Sequence, residues 1–387
     1  MPGAWETTAM SRLPLAQLAS ASTPGASPYF HNKLIITKRA ALGLEALVRI
    51  PLAGAQEEAE PFFDWCQRHP NSSIQLMQLR KERVAPFFHE YVTFRLKDGS
   101  GSFRIDRRQR RDILSPMKCT EETGSEAFDT IEEVVDMEDS MYNPSDCLVH
   151  IDFTADVHLC LITDFCMAMS RHERARVYTV QRYNCYFYAQ SMILYVLCWA
   201  HGWTEDHIWL KHTESTKNID NPVPDTNNVA IRQTPLDALE RHSGMTIRIS
   251  EKRPEMYYRH DGNATDSDSP LPSDGDRPSF RREFWTIIRA LRGKPMDSPP
   301  GSMQESSIGD LQKYLSEFIY AHSIRVEEHK ALLKCDARDV EHDIKETIDQ
   351  LWERSMYRVP MMLRWKQVDD EIWYKPLAKT RGVFGFT

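Results

Sequence analysis

The sequence has no apolar run long enough to cross a bilayer. Its longest run, Tyr186 to Ala200, covers about 15 residues, whereas a transmembrane helix needs about 20. The N-terminal segment has no apolar stretch behind a basic start, so we expect no secretory signal. The run therefore predicts a buried helix, and we expect a cytoplasmic protein with no membrane span.

The eight cysteines form no C-x-x-C pair, and their spacing is irregular. Structural zinc sites need cysteine or histidine ligands at short, regular spacing. His150, His158 and Cys160 lack such spacing as well. We therefore expect reduced thiols, no metal and no cofactor.

Three common functional signatures are also missing. There is no G-x-S-x-G, Walker or G-x-G-x-x-G motif, which leaves lipase-type, NTPase and dinucleotide-binding functions without support. Acidic residues (56) outnumber Lys and Arg (48), and the formal net charge is −8. This charge does not favour nucleic-acid binding, and the basic run Arg107 to Arg111 is interpreted as a solvated face.

Composition divides the chain into four parts. We predict a mobile tail (residues 1–30), an α+β domain (31–258), an acidic polar linker (259–278) and a helical C-terminal region (279–387). Apolar residues recur at helical spacing from Ser306 to Tyr357, which predicts one long helix or a helical pair. Such helices can pack on their own domain or serve for self-association.

The clearest local pattern predicts a β-hairpin. Val92, Phe94 and Leu96 alternate with polar residues, Asp98-Gly99 supplies a turn, and alternation resumes at Phe103. His89 stands at the start of the first strand, on the face opposite to the apolar set. A histidine there is either an ordinary surface residue or a candidate base.

Cys185 follows Asn184 at the start of the predicted apolar helix. The free N–H groups and the dipole of a helix N-terminus lower the pKa of a cysteine, which favours the nucleophilic thiolate. Asn184 is a suitable N-cap for this helix. The alternative is a buried structural cysteine in an apolar helix. Gln181, four residues upstream, is either an oxyanion donor or a surface glutamine.

The two segments together resemble the permuted papain-like thiol enzymes, which include the lecithin retinol acyltransferase-like, NlpC-like and PPPDE peptidase groups. The resemblance rests on H-x-x-V-x-F-x-L-x-D-G starting at His89 and on Y-N-C-x-x-[FY]-A around Cys185, within about Ile74 to Gly202. It implies that Cys185 is the nucleophile and His89 the general base.

The sequence leaves two alternatives for a third catalytic residue. No second histidine follows on the return strand, where some of these groups carry a polar residue that orients the first one. Asp106 lies on the same face as His89, but the expected register puts Gln109 or Arg110 opposite His89. Asp106 would then be three or four residues away. A Cys–His dyad without a third member remains an equal alternative.

We therefore predict an α+β fold, with a small antiparallel sheet packed on the Cys185 helix and a helical C-terminal region. The predicted function is that of a thiol hydrolase or acyltransferase, including thiol proteases of the isopeptide type. Its substrate would be an acyl, amide or peptide compound, with Cys185, His89 and Asp106 as candidate catalytic residues. The alternative is a catalytically inactive scaffold that acts as a protein-interaction module.

Overall fold

The computed structural model describes residues 33–52, 56–83, 88–109, 119–120, 122–138, 144–201, 244–252, 302–328 and 330–356. The predicted tail (1–30) and the predicted linker (259–278) lie outside these ranges.

The described residues mix strands and helices, so the fold is α+β. The strands are β1 (Val48–Arg49), β2 (Ser73–Glu82), β3 (Glu90–Leu96), β4 (Ser102–Gln109), β5 (Ser125–Val134), β6 (Ser145–His158), β7 (Val177–Tyr178), β8 (Met245–Ser250) and β9 (Met303–Ser306). The helices are α1 (Lys33–Ala41), α2 (Gln56–Arg68), α3 (Cys160–Arg171), α4 (Cys185–His201), α5 (Ile308–Glu328), α6 (Lys330–Leu333) and α7 (Ala337–Met356).

The strands form one large antiparallel sheet. Their order is β1-β5-β4-β3-β2-β6-β8-β9, and β7 pairs with β5. With nine strands in the described part of the chain, the sheet is larger than the small one expected from the sequence. Two of the additional strands are β5, which comes from an acidic segment, and β9, which comes from the C-terminal region.

The predicted hairpin is present as β3 and β4. Val92 pairs with Ile105 and Phe94 with Phe103, and the Phe94 and Phe103 rings stack with their centroids 5.4 Å apart. Both phenylalanines are buried, and each contributes about 1.5–3 kcal/mol of hydrophobic free energy. Gly99 allows the turn because it adopts a left-handed φ of 75°.

Helix α4 is covered on several sides. It contacts β3 and β4 on one side, and α3 and α7 on another. Its apolar sequence matches this position, since a helix that is hydrophobic all round has to be buried all round. No helix in the described ranges is long and apolar enough to cross a membrane.

The C-terminal region contributes to the same sheet and core. Strand β9 pairs with β8, and α7 contacts both α3 and α4. The helical spacing predicted from Ser306 onward corresponds to α5, α6 and α7. Helix α3 begins at Cys160, because Val157 and His158 still pair with β2 at the end of β6.

Candidate active site

Cys185 is the first residue of α4. The Asn184 side chain caps this helix, because its Oδ1 accepts a hydrogen bond from the backbone N–H of Phe187 at 3.0 Å. Such a cap satisfies one of the free N–H groups of the first helical turn. The predicted cap is therefore present, and the thiol lies at the positive end of the helix dipole.

The Cys185 thiol is buried, and only 2% of the residue is exposed. Burial raises the pKa of Cys185 to about 12, while the backbone N–H of Glu90 acts in the opposite direction. The Tyr178 hydroxyl also interacts with the thiol, and it has no well-aligned hydrogen-bond partner in the described part of the chain. In this closed arrangement the thiol is protonated at neutral pH.

The strands β3 and β4 separate next to this thiol. Their paired residues run from Arg95 with Ser102 to Val92 with Ile105. If the ladder continued, the Glu90 N–H would donate to β4. It instead interacts with the Cys185 sulfur, beyond the last paired residues of the two strands.

His89 and Asp106 are hydrogen-bonded, with 3.2 Å between His89 Nε2 and Asp106 Oδ2. The expected register was wrong. Because the turn lies over residues 97–100, with the Leu96 N–H donating to Gly101 O, the pairing of Val92 with Ile105 places Arg108 level with His89. Asp106 is therefore two residues away along β4 rather than three or four.

The Asp106 carboxylate accepts hydrogen bonds from more than one residue. Its Oδ2 accepts hydrogen bonds from Arg104 Nη2 and Arg108 Nη2, each at 2.9 Å, and its Oδ1 accepts one from Thr130 Oγ1 at 3.0 Å. Burial alone would raise the pKa of Asp106, but Arg108 and Arg104 hold it well below its usual range. The carboxylate is thus ionised, and His89 is one of four residues that donate to it.

His89 is a neutral, buried imidazole. Burial lowers its pKa, and Arg108 lowers it further, against the opposing effect of Asp106. An ionised carboxylate only accepts hydrogen bonds, so Nε2 carries the proton and Nδ1 keeps its lone pair. Nδ1 has no hydrogen-bond partner among the described residues, which leaves it available as a proton acceptor.

No hydrogen bond joins His89 to Cys185 in the described part of the chain. The His89 ring lies against Tyr91, with their centroids 6.2 Å apart. The next residue, Glu90, points to α4 and bonds Gln190 Nε2 at 2.8 Å. Neighbouring strand residues face opposite sides of a sheet, so the β3 backbone at residues 89–90 separates the imidazole from the thiol.

Two interpretations of the sequence were wrong. The described part of the basic run, residues 107–109, is not a solvated face, because Arg107 is fully buried and pairs with Asp129 at 2.6 Å, while Arg108 pairs with Asp106. Gln181 is not a surface residue either: it is buried, and its amide donates to Thr120 O and Leu333 O. Its amide hydrogens therefore bind backbone carbonyls rather than an oxyanion.

The histidines considered as metal ligands have other roles. His150 bonds Asp152 through Nε2 at 3.1 Å and contacts Gln78 through Nδ1 at 3.0 Å. His158 Nδ1 accepts a hydrogen bond from the N–H of Cys160 at 3.2 Å. Within the described ranges, no group of three or more His, Cys, Asp or Glu residues is arranged to hold a metal ion.

Sequence reasoning missed two residues near the thiol. Tyr178 precedes Cys185 by seven positions and belongs to no motif that would reveal it. His322 lies on α5 and contacts Gln181 and Asn184. A signal for His322 was present, because Phe318, Ile319 and Val326 place it on the apolar stripe of the predicted helix.

Comparison with known proteins finds no matching family model, no matching curated protein and no matching solved structure. The function of this protein is therefore inferred from its residues and their geometry.

Proposed function

We propose that the protein is a thiol hydrolase or acyltransferase with a permuted papain-like core formed by the sheet and the Cys185 helix. The observation that supports the proposal is that the thiol and the His89–Asp106 pair lie on opposite sides of the same two backbone residues, 89 and 90. The Cys185 sulfur interacts with the Glu90 N–H, and the preceding His89 bonds Asp106. A nucleophile at a helix N-terminus, a base and an orienting carboxylate are the parts that such chemistry needs.

In the proposed reaction, His89 Nδ1 removes the Cys185 proton, and the thiolate attacks the carbonyl carbon of an amide, ester or thioester. Tyr178 Oη and the Glu90 N–H are the donors beside the sulfur that can stabilise the oxyanion. Collapse expels the leaving group, which takes the proton from His89, and leaves an acyl-enzyme on Cys185. Water or an amine then attacks the acyl-enzyme and restores the thiol.

The reaction requires the imidazole and the thiol to approach each other at the gap between β3 and β4. Phe88, directly before His89, has a φ of 43°, which is strained for a bulky residue. Strained backbone tends to occur at sites that change conformation or perform chemistry. This position supports a movement of His89 when substrate opens the site.

The second candidate is a catalytically inactive scaffold used for protein interaction. The observation that favours it is the state of the thiol, which is buried and has no hydrogen bond to His89 in the described residues. A protein whose thiol stays closed in this way would retain the fold but could not carry out the reaction.

Alkylation rates separate the two candidates. At pH 7, we expect iodoacetamide to label Cys185 faster than Cys166, measured by mass spectrometry of the folded full chain. Cys166 is a matched control, because burial raises the pKa of both thiols to about 12. It lies on α3, away from the first turn of its helix.

His89→Ala should slow Cys185 by roughly a hundredfold, the lower end of the usual general-base effect, and leave Cys166 unchanged. Equal labelling of both thiols in the wild type would favour the inactive scaffold and overturn the enzyme proposal.

A further inference from the structure

His322 contacts the segment that leads into the Cys185 helix, although it lies 137 positions further along the chain. Its Nε2 is 2.9 Å from Gln181 O and 3.2 Å from Asn184 Nδ2. Its ring also packs edge-on against Tyr186, with a centroid distance of 5.7 Å. The residue is buried, so these contacts are shielded from water.

The hydrogen bonds fix the protonation of this ring. A carbonyl oxygen only accepts, so His322 Nε2 must carry a proton and donate it to Gln181 O. Burial lowers the pKa of His322 to about 4, and the ring is therefore neutral at pH 7. Its Nδ1 keeps a lone pair that has no hydrogen-bond partner among the described residues.

Asn184 connects this ring to the thiol. Its Oδ1 caps α4 through Phe187 N–H, and its Nδ2 donates to Val180 O at 2.8 Å beside the His322 ring. The orientation of the cap thus depends on a segment that His322 holds at Gln181 O. Helix α7 supports the same segment, because Tyr183 Oη lies 3.2 Å from Thr347 Oγ1.

We propose that His322 is a positioning residue for Cys185. It holds Gln181 O and packs beside Asn184, and it thereby keeps the capped first turn of α4 in the orientation in which the helix N-terminus acts on the thiol. The inference rests on the proposed function, since it concerns the reactivity of the same sulfur. It makes the C-terminal helices a working part of the active site. His322 acts through Asn184 and does not itself contact the substrate.

The test compares His322→Phe with His322→Gln in the full chain. Phenylalanine keeps the ring contact with Tyr186 but loses the donor, whereas glutamine keeps an N–H that can donate to Gln181 O. His342→Phe is the matched control, because His342 is exposed on α7. The readout is the rate of Cys185 alkylation by iodoacetamide between pH 6 and pH 10, with Cys166 as an internal measure of folding.

We expect His322→Phe to slow Cys185 alkylation by about tenfold at every pH between 6 and 10, because a displaced cap weakens the helix-end stabilisation of the thiolate. His322→Gln should recover most of the rate, and His342→Phe should match the wild type. Wild-type kinetics in His322→Phe, or no recovery in His322→Gln, would overturn the positioning role.

A variant that unfolds would expose Cys166 and label it rapidly. In that case Asn184→Ala decides, since alanine removes both the cap on the Phe187 N–H and the amide that donates to Val180 O. It should slow Cys185 about tenfold while Cys166 stays protected, and an unchanged Cys185 rate refutes the inference. If wild-type Cys185 reacts no faster than Cys166, the proposed function itself fails. A fast wild-type thiol that is insensitive to His322 removes only the positioning role.

Discussion

Replacing Asp106 with asparagine removes one negative charge from the interior while keeping nearly the same shape. The side chain neutralises Arg104 and Arg108, each at 2.9 Å, and also accepts from His89. Neither guanidinium can lose its charge, because arginine stays protonated in proteins. The substitution therefore leaves two buried cations with less compensation.

The size of the effect follows from what remains. Glu82 still lies 3.1 Å from Arg104 and 3.7 Å from Arg108, so it would still compensate part of the charge of both guanidinium groups. Breaking a buried ion pair by removing one partner costs about 3–5 kcal/mol. With Glu82 retained, we expect a loss of about 3 kcal/mol of unfolding free energy, which is a large part of the typical 5–15 kcal/mol.

Urea denaturation followed by tryptophan fluorescence measures this loss as a lower midpoint. Asp156→Asn is the control, because Asp156 pairs with Lys97 at 2.9 Å but is 87% exposed, and no measurable change is expected there. An Asp106→Asn protein that unfolds at the wild-type urea concentration would refute the claim that this carboxylate holds the network together. The prediction also means that lost activity in Asp106→Asn does not by itself identify a catalytic residue.

Two further predictions concern neighbours of the thiol. Gly124→Ala should destabilise the protein by about 1–3 kcal/mol in urea denaturation, because φ of Gly124 is 61° and an added Cβ would lie 2.7 Å from Tyr178 O. The control Gly99→Ala has open space around the added Cβ and should cost less stability. Equal losses of stability in the two variants would contradict the steric clash at Gly124. The pKa of His322 is lowered to about 4, so its stabilising effect is complete above pH 6.5 and decreases as the pH falls toward 4. At pH 5, wild type should lose about 2 kcal/mol more than His322→Gln, and parallel urea midpoints for the two proteins would contradict this.

The hairpin and the start of the Cys185 helix were predictable because their signals are local. Alternation from Val92 to Leu96 and the Asp98-Gly99 turn determine the hairpin, and Asn184 marks the helix start. The register was not predictable, since the turn could begin at Lys97 or Asp98 with no change in the alternation. Because the turn begins at Lys97, Asp106 lies two residues from the position level with His89, rather than three or four, and the two side chains can form a hydrogen bond.

Strand β5 was missed because its charged residues are buried in pairs. The segment is acidic in sequence, but Asp129 bonds Arg107 and Glu132 bonds Arg39 at 2.6 Å. A sequence shows the charges and not their partners, so a buried acidic strand has the composition of a solvated segment. The same reason explains why the basic run was assigned to the surface.

In the proposed enzyme, access to Cys185 would control its reactivity. Burial is the largest cause of its raised pKa and the Glu90 carboxylate raises it further, while the Glu90 N–H, Lys81 and Arg108 lower it. The helix N-terminus adds to these opposing effects and is fixed by the fold. Opening the gap between β3 and β4 would rehydrate the sulfur and remove the effect of burial, while the helix end and the two cations remain nearby. A substrate that enters there would therefore create the thiolate that it needs, whereas the closed protein keeps its thiol protonated and protected from oxidation.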